Sequence, residues 1–191
     1  MLRDLVMKNR SYRRFHEDHR ISPGELRSLV DLARLSASGA NMQALKYFIS
    51  SDPGTNARIF GCLGWAAYLE GWPGPAQGER PSAYIIILGD TQIATHYWCD
   101  HGIAAQSILL GATEKGLGGC MIASIDKKGL IEACQIPDRY EILLVVALGK
   151  PAEEVRIEAV GPDGDIRYWR DDTGVHHVPK RPLDEIVLDH F

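Results

Sequence analysis

Apolar positions near the start of the chain recur at helical spacing. Leu2, Leu5 and Val6 fit one face of a short opening helix. In Ser22-Pro23-Gly24-Glu25, serine can cap, proline suits a first helical turn, and glutamate can reach back to the cap. Leu26, Leu29, Val30 and Ala33 continue as an apolar stripe, so the spacing predicts a helix over about 23 to 35. Ser36 to Gly39 is a small-residue loop, Leu45 to Ser50 reads as a strand, and a further helix begins near Thr55. Tyr84-Ile85-Ile86-Ile87-Leu88 is apolar on both faces, the pattern of a central buried strand. Asp100 to Lys115 carries Ile103, Ala104, Ala105, Ile108, Leu109, Leu110 and Ala112, which leaves almost no polar face. Such a helix must be surrounded by protein, and Gly116 stops it. Gly119 to Ser124 and Glu141 to Gly149 read as two more strands, with a helix from about Asp126 to Cys134 between them.

Two segments break this regularity. Trp65 to Pro81 is rich in Gly, Pro and aromatics without a period; it reads as a lid-like loop with a helical turn at Trp65 to Leu69. Its two tryptophans, Trp65 and Trp72, are expected either to cover a ligand or to plug the domain surface. After Lys150-Pro151, Val155, Ile157 and Ala159 alternate, Pro162-Asp163-Gly164-Asp165 signals a hairpin, and Ile166 to Trp169 answers it. Asp172-Thr173-Gly174 turns again toward Val175 to Val178. This tail is too short for a core of its own and must lie on its own domain or on a partner subunit. Helices and strands mix without regular βαβ alternation, which places the chain in the α+β class as a single domain over residues 1–191.

Composition narrows the function classes. The 191 residues are 45% hydrophobic and 24% charged, which excludes a disordered chain. A net charge of −4 argues against a dedicated nucleic-acid binder. The longest apolar run, Ile142 to Leu148, is strand-sized, so no membrane span is expected; the first residues lack a signal-peptide pattern, and a cytoplasmic location is expected. Cys62, Cys99, Cys120 and Cys134 form no C-x-x-C pair, and reduced buried thiols are the reading rather than zinc ligands. His176 and His177 adjoin on a strand and point to opposite faces, which argues against a shared metal. Gly116-Leu117-Gly118-Gly119 follows a helix and precedes a strand, the wrong order for a dinucleotide fingerprint. No nucleophile-base-orienter set can be assembled, and no catalytic side chain is assigned.

What remains is basic and polar. Arg10-Ser11-Tyr12-Arg13-Arg14-Phe15 gathers three guanidiniums and a hydroxyl, a pattern that suits phosphate oxygens. Ser38-Gly39-Ala40-Asn41-Met42-Gln43 is a loop of small and amide residues that lets backbone approach a flat ligand. Lys180-Arg181-Pro182 is a third basic spot. Together with Asp100 to Ser124, these segments resemble the nitroreductase family of FMN-dependent oxidoreductases. That family opens with R-R-S-x-R-x-F, here Asn9 to Phe15, and continues with P-S-x-x-N-x-Q-P-W, here Ala37 to Leu45. Its D-x-G-x-A-x-Q helix is matched by Asp100 to Gln106, its G-L-G turn by Gly116 to Gly118, and its L-G-x-P by Leu148 to Pro151. Asn9 stands where the family has arginine, and Ala37, Ala44 and Leu45 replace two prolines and a tryptophan.

The resemblance implies a nitroreductase-like fold: a central, mainly antiparallel sheet flanked by helices, with a C-terminal arm (152–191) exchanged in a homodimer and FMN between subunits. It implies NAD(P)H as electron donor, a small oxidised substrate such as a nitroaromatic or quinone, and ping-pong kinetics. Arg10, Ser11, Lys180 and Arg181 would hold the phosphate. Arg13 would stand beside the N1–C2=O edge, and Ser38 and Asn41 on the pyrimidine side, within a loop that includes Ala40 and Gln43. The backbone N–H of Ala123 would face N5, with Ser124 next to it. A same-fold flavoenzyme with other chemistry, dehalogenation or flavin breakdown, and a non-catalytic flavin-binding protein stay open.

Overall fold

A computed structural model describes residues 1–188. In chain order the elements are α1 (Leu2–Lys8), β1 (Phe15–His16), α2 (Pro23–Arg34), a single 3-10 turn (Gly39–Asn41), β2 (Leu45–Ser50), α3 (Pro53–Gly61) and β3 (Ala83–Asp90). Then come α4 (Asp100–Glu114), β4 (Gly118–Ile122), α5 (Lys127–Cys134), β5 (Tyr140–Pro151), β6 (Val155–Ala159), β7 (Trp169–Arg170), β8 (His176–Lys180) and α6 (Leu183–Ile186). β5 is the axis of the central sheet: β1, β3 and β4 all pair with it antiparallel, and β2 extends the sheet from β3.

Every residue of β3 is buried, because both faces of the sheet are covered. Ile85 and Ile87 point to one side with Val146, Leu29 and Ile108, under α2 and α4. Tyr84 and Ile86 point to the other side with Val145, Ile59 and Leu130, under α3 and α5. The period-2 alternation of strand side chains thus feeds two cores from one strand. The resulting α+β architecture matches the fold expected from sequence.

Local signals are met closely. Glu25 N–H donates to Ser22 Oγ (3.2 Å) and Ser22 N–H donates to Glu25 Oε2 (2.8 Å), a reciprocal cap. Gly116 adopts φ 73°, and Leu117 N–H closes back on the Ala112 carbonyl (2.9 Å) to end α4. Gly119 allows β4 to approach β5: a Cβ there would stand 2.1 Å from the Ala147 carbonyl oxygen. In α4, Ala104, Ala105, Ile108, Leu109 and Ala112 are buried, whereas Ile103 and Leu110 are half-buried and Gln106 is exposed. α1 forms as expected, yet none of its residues is buried. Among the described residues no helix is long and apolar enough to cross a membrane.

The departures lie in long-range pairing. The turn at Asp163-Gly164 forms, with Gly164 N–H on the Gly161 carbonyl (3.0 Å), but no hairpin follows. β6 pairs in parallel with β8, and β7 pairs antiparallel with β8 across the Asp172–Gly174 turn. Alternation marks β6 as a strand but does not choose its partner. At Trp65 to Leu69 a hydrogen-bonded turn (Leu69 N–H to Ala66 O, 2.9 Å) replaces the expected helical turn. Both tryptophans are packed rather than free. Trp65 lies against Phe60 (centroids 5.6 Å apart), and the Arg170 guanidinium sits over Trp72 at 5.0 Å. Of the four thiols only Cys120 is fully buried, which pushes it up to about 12; Cys62 and Cys134 are half-buried and Cys99 is exposed.

The tail sheet is pinned by His177. Its Nε2 is 3.1 Å from Asp171 Oδ2, its Nδ1 bonds Glu158 on β6, and its ring stacks on Trp169 with centroids 4.1 Å apart. Hydrogen bonds to Asp171 and Glu158 raise the imidazole above its ordinary value of 6.5, and the same contact draws Asp171 below the usual carboxylate range. Stability from a raised histidine is present in full below the ordinary value and is lost as pH rises through the raised one. The melting temperature of the wild type should therefore exceed that of His177→Gln most on the acid side of neutrality. A gap that does not shrink toward alkaline pH would show that the pin is not ionic.

Candidate functional site

Arg10, Ser11, Arg13 and Lys180 come together, with Asn9, Gln106, Leu109, Met121, Tyr168, His176 and Val178, around a cleft of about 320 Å³. The segment between α1 and β1 brings the first three there, because Tyr12 N–H bonds the Gly119 carbonyl (3.0 Å) and lays that segment along β4. β8 brings Lys180. Among the described residues the lining contains three cations and no carboxylate. Arg10 Nη2 donates to the Val6 carbonyl (2.7 Å), and partial burial lowers its pKa from the ordinary guanidinium value without threatening its charge. Asn9, in the family's arginine position, is buried and also lines the cleft.

Arg13 is held at both ends. Its backbone N–H donates to Glu153 Oε1 (2.5 Å), which also receives Arg14 N–H (3.0 Å), while Glu153 Oε2 pairs with Arg170 (2.8 Å). Its guanidinium lies over Tyr168 at 4.7 Å with Nη1 3.2 Å from His176 Nε2. Arg13 also borders a second cleft of about 170 Å³, walled by Gly64 to Ala67 and by Cys120 to Ser124. Ala123 and Ser124 therefore share a wall with Arg13, just beyond the end of β4 rather than on it.

The remaining sequence-derived residues are elsewhere. Ser38 and Gln43 line a third cleft of about 230 Å³ with Tyr47, Asp100 and Ala104, beside α2 and β2. The Ser38 hydroxyl donates to Asp100 Oδ2 (2.7 Å) and accepts the Gln43 N–H (3.0 Å). Ala40, Asn41 and Gln43 are exposed, and all three adopt positive φ (49°, 54° and 51°). Three non-glycine residues in the left-handed region within four positions store strain that the surroundings must hold. Asp100, 5% exposed at the start of α4, does so by also accepting Gly39 N–H (2.9 Å). Arg181 is outside the cationic cleft, bonded to Glu185 one helical turn on. Sequence reasoning missed Met121, Tyr168 and His176. Met121 carried a signal, as the one exposed side chain of an otherwise buried strand. Tyr168 and His176 reach the site through tail pairing that no local pattern reveals. Among the described residues no cluster could hold a metal ion.

This is an α+β protein with a cationic cleft where its tail meets the entry to its central sheet. Residues 74–150 match the model of the nitroreductase family. The chain is 23% identical to Protein DrgA of Synechocystis sp., with 79% of this chain and 84% of that protein covered. It is 21% identical to the putative NAD(P)H nitroreductase MhqN of Bacillus subtilis, over 80% and 89%. A nitroreductase family protein of Streptococcus pneumoniae TIGR4 superposes with a TM-score of 0.71 at 19% identity, covering all of both chains. One from Clostridium novyi NT gives 0.65 at 23%, over 79% and 86%. The chain has the nitroreductase-family fold, and the resemblance seen in its motifs holds at that level.

Asp100→Ala should release the strained loop. It removes two hydrogen bonds to a carboxylate, so amide exchange over residues 38–43 should accelerate by roughly 10-fold or more while β3 stays protected. Hydrogen–deuterium exchange reads this directly. Unchanged protection of the loop would mean that something other than Asp100 holds it.

Proposed function

We propose that this chain is an FMN-dependent oxidoreductase that uses NAD(P)H to reduce small oxidised substrates, nitroaromatics and quinones among them, and that it works as a homodimer. One observation carries the reading: a cleft with three cations, no lining carboxylate and an apolar wall of Leu109 and Met121. Its donor set and volume suit a phosphate-bearing planar ligand. Arg10, Ser11 and Lys180 would bind the phosphate, Arg13 would place a cation beside the ring, and Ala123 and Ser124 would border it from the adjoining cleft. Arg181 joins them only by leaving Glu185. When bound, FMN supplies two-electron exchange between the nicotinamide donor and the oxidised acceptor. The chain's own part is to bind, orient and keep out water. The names of the relatives, a nitroreductase and an FMN reductase among them, support the same reading.

Homodimer formation is supported by the division of the site. The Asn41 loop lines a cleft that shares no residue with the Arg13 cleft, an arrangement that suits a ligand held by one set from each of two copies. Apolar surface is available for that contact: Ile103 and Leu110 on α4 are only half-buried, and Leu2, Val6 and Met7 on α1 are exposed. Residues 152–180 pack on their own chain, so the exchanged arm would be the part after Arg181. There Leu183, Ile186, Val187 and Leu188 are all exposed; residues 189–191 of that arm lie outside the described residues.

FMN titration of flavin-stripped protein tests the site. Arg13→Ala loses a charge-assisted contact, so the Kd should rise at least about 10-fold. An unchanged Kd would remove Arg13 from the flavin site. Light scattering on a chain ending at Arg181 tests the assembly. A monomer is expected, and an intact dimer would show the arm to be dispensable.

A further inference from the structure

The tail was expected to lie on its own domain or on a partner subunit. Within the chain its sheet packs against the entry to β1, and two of its side chains meet Arg13. His176, 1% exposed, presents Nε2 to Arg13 Nη1 at 3.2 Å. Tyr168 offers its ring face at 4.7 Å and leans on His176 with centroids 5.2 Å apart. Tyr68 of the Trp65 to Pro81 segment backs Tyr168 at 4.9 Å. A guanidinium has donors only, so Nε2 accepts and the ring proton sits on Nδ1. Burial first, then the charges of Arg13, Arg170 and His177, lower the imidazole to about 4 and keep it neutral. Glu153, the nearby carboxylate, spends its oxygens on the backbone of Arg13 and Arg14 and on Arg170. Among the described residues no carboxylate forms an ion pair with the Arg13 guanidinium.

We infer that His176 and Tyr168 are positioning residues: they fix the Arg13 guanidinium at the cleft without neutralising it, so that the tail sheet is part of the cofactor site of its own chain. The chemistry favours these two residue types. A carboxylate at position 176 would orient Arg13 more strongly but would cancel the charge that an anionic ligand needs. A neutral imidazole acceptor and an aromatic face orient the cation and leave its charge intact. This inference rests on the flavin reading of the cleft.

The test is a double-mutant cycle read by FMN titration of flavin-stripped, full-length protein. His176→Phe keeps a planar ring and removes the acceptor, so the Kd should rise about 10-fold. His176→Gln, whose amide oxygen can accept from Arg13, should restore most of that loss. In an Arg13→Ala background His176→Phe should change nothing further, because the residue acts through Arg13. Tyr168→Leu, at a half-buried loop position, is the second variant should His176→Phe fail to fold; it should weaken FMN several-fold only when Arg13 is present. If Arg13→Ala weakens FMN but both tail variants bind normally, the inference is overturned and the flavin reading stands. Equal losses with and without Arg13 also overturn it, since they mark a merely structural role. If Arg13→Ala leaves FMN affinity unchanged, the flavin reading of this cleft falls and takes the inference with it.

Discussion

The Glu153 carboxylate is the contact on which the site depends. Its side chain is 1% exposed, and a buried carboxylate must be fully paired to be tolerated. It meets that demand by accepting the backbone N–H groups of Arg13 and Arg14 and the guanidinium of Arg170. Those donors come from the segment before β1 and from β7. One buried charge therefore locks the tail sheet to the start of the domain. Removing a single partner from a buried ion pair costs about 3–5 kcal/mol, far more than an exposed bridge is worth. Because the backbone of Arg13 is fixed there, its side chain can be aimed by tail residues. Arg170 extends the lock outward by lying over Trp72, which ties the irregular Trp65 to Pro81 segment to the same sheet.

A second constraint acts across the domain. Asp100 begins α4 and holds a loop in which Ala40, Asn41 and Gln43 all take left-handed conformations. Each such residue costs of order 1 kcal/mol, and strain of this kind persists where the surroundings over-determine it. The loop would relax if its only task were to join α2 to β2. Its amide side chains remain exposed while its backbone is clamped, which is the arrangement of a presenting surface. The same helix that anchors this loop at one end lines the cationic cleft with Gln106 and Leu109 further along. α4 thus borders both candidate binding surfaces, though they share no residue.

How much of this was legible in the sequence follows from the range of each signal. The cap at Ser22, the stop at Gly116 and the doubly apolar run at β3 are local statements, and each was met. Arg10, Ser11 and Arg13, singled out because three cations and a hydroxyl crowd one short segment, line one cleft. What the sequence does not show is where a residue's surroundings depend on another residue's side chain. The hydrogen bond of Ser38 to Asp100, sixty-two positions away in sequence, is one such contact. The pairing of Arg181 with Glu185 is another contact that the basic run at 180–181 does not show. Trp72 was expected to cover a ligand or to plug the surface, and its packing under Arg170 depends on β7, far along the chain. The hairpin expected after Asp163 shows the same limit, since alternation names a strand without naming its neighbour. His176 was weighed as a metal ligand, and its contact with Arg13 arises only from the parallel pairing of β6 and β8.

The electrostatics of the cleft run against those of the chain. A net charge of −4 would let the molecule neutralise its cations freely, and Arg14, Arg139, Arg156, Arg167, Arg170 and Arg181 are each paired with a carboxylate. Arg10, Arg13 and Lys180 line one cleft and, among the described residues, have no such partner. Like charges brought together on a partly desolvated wall repel, so this arrangement is held at a cost to the folded state. Folding alone would favour placing a carboxylate among them, and Glu153 is close enough to show that one was within reach. The chain instead turns that carboxylate toward backbone N–H groups and Arg170, and gives Arg13 an imidazole and a phenol ring. Local departures from the most stable arrangement are expected at functional sites, where the missing counter-charge is supplied by the ligand. A cleft built this way selects for negative charge by what it omits as much as by the donors it presents.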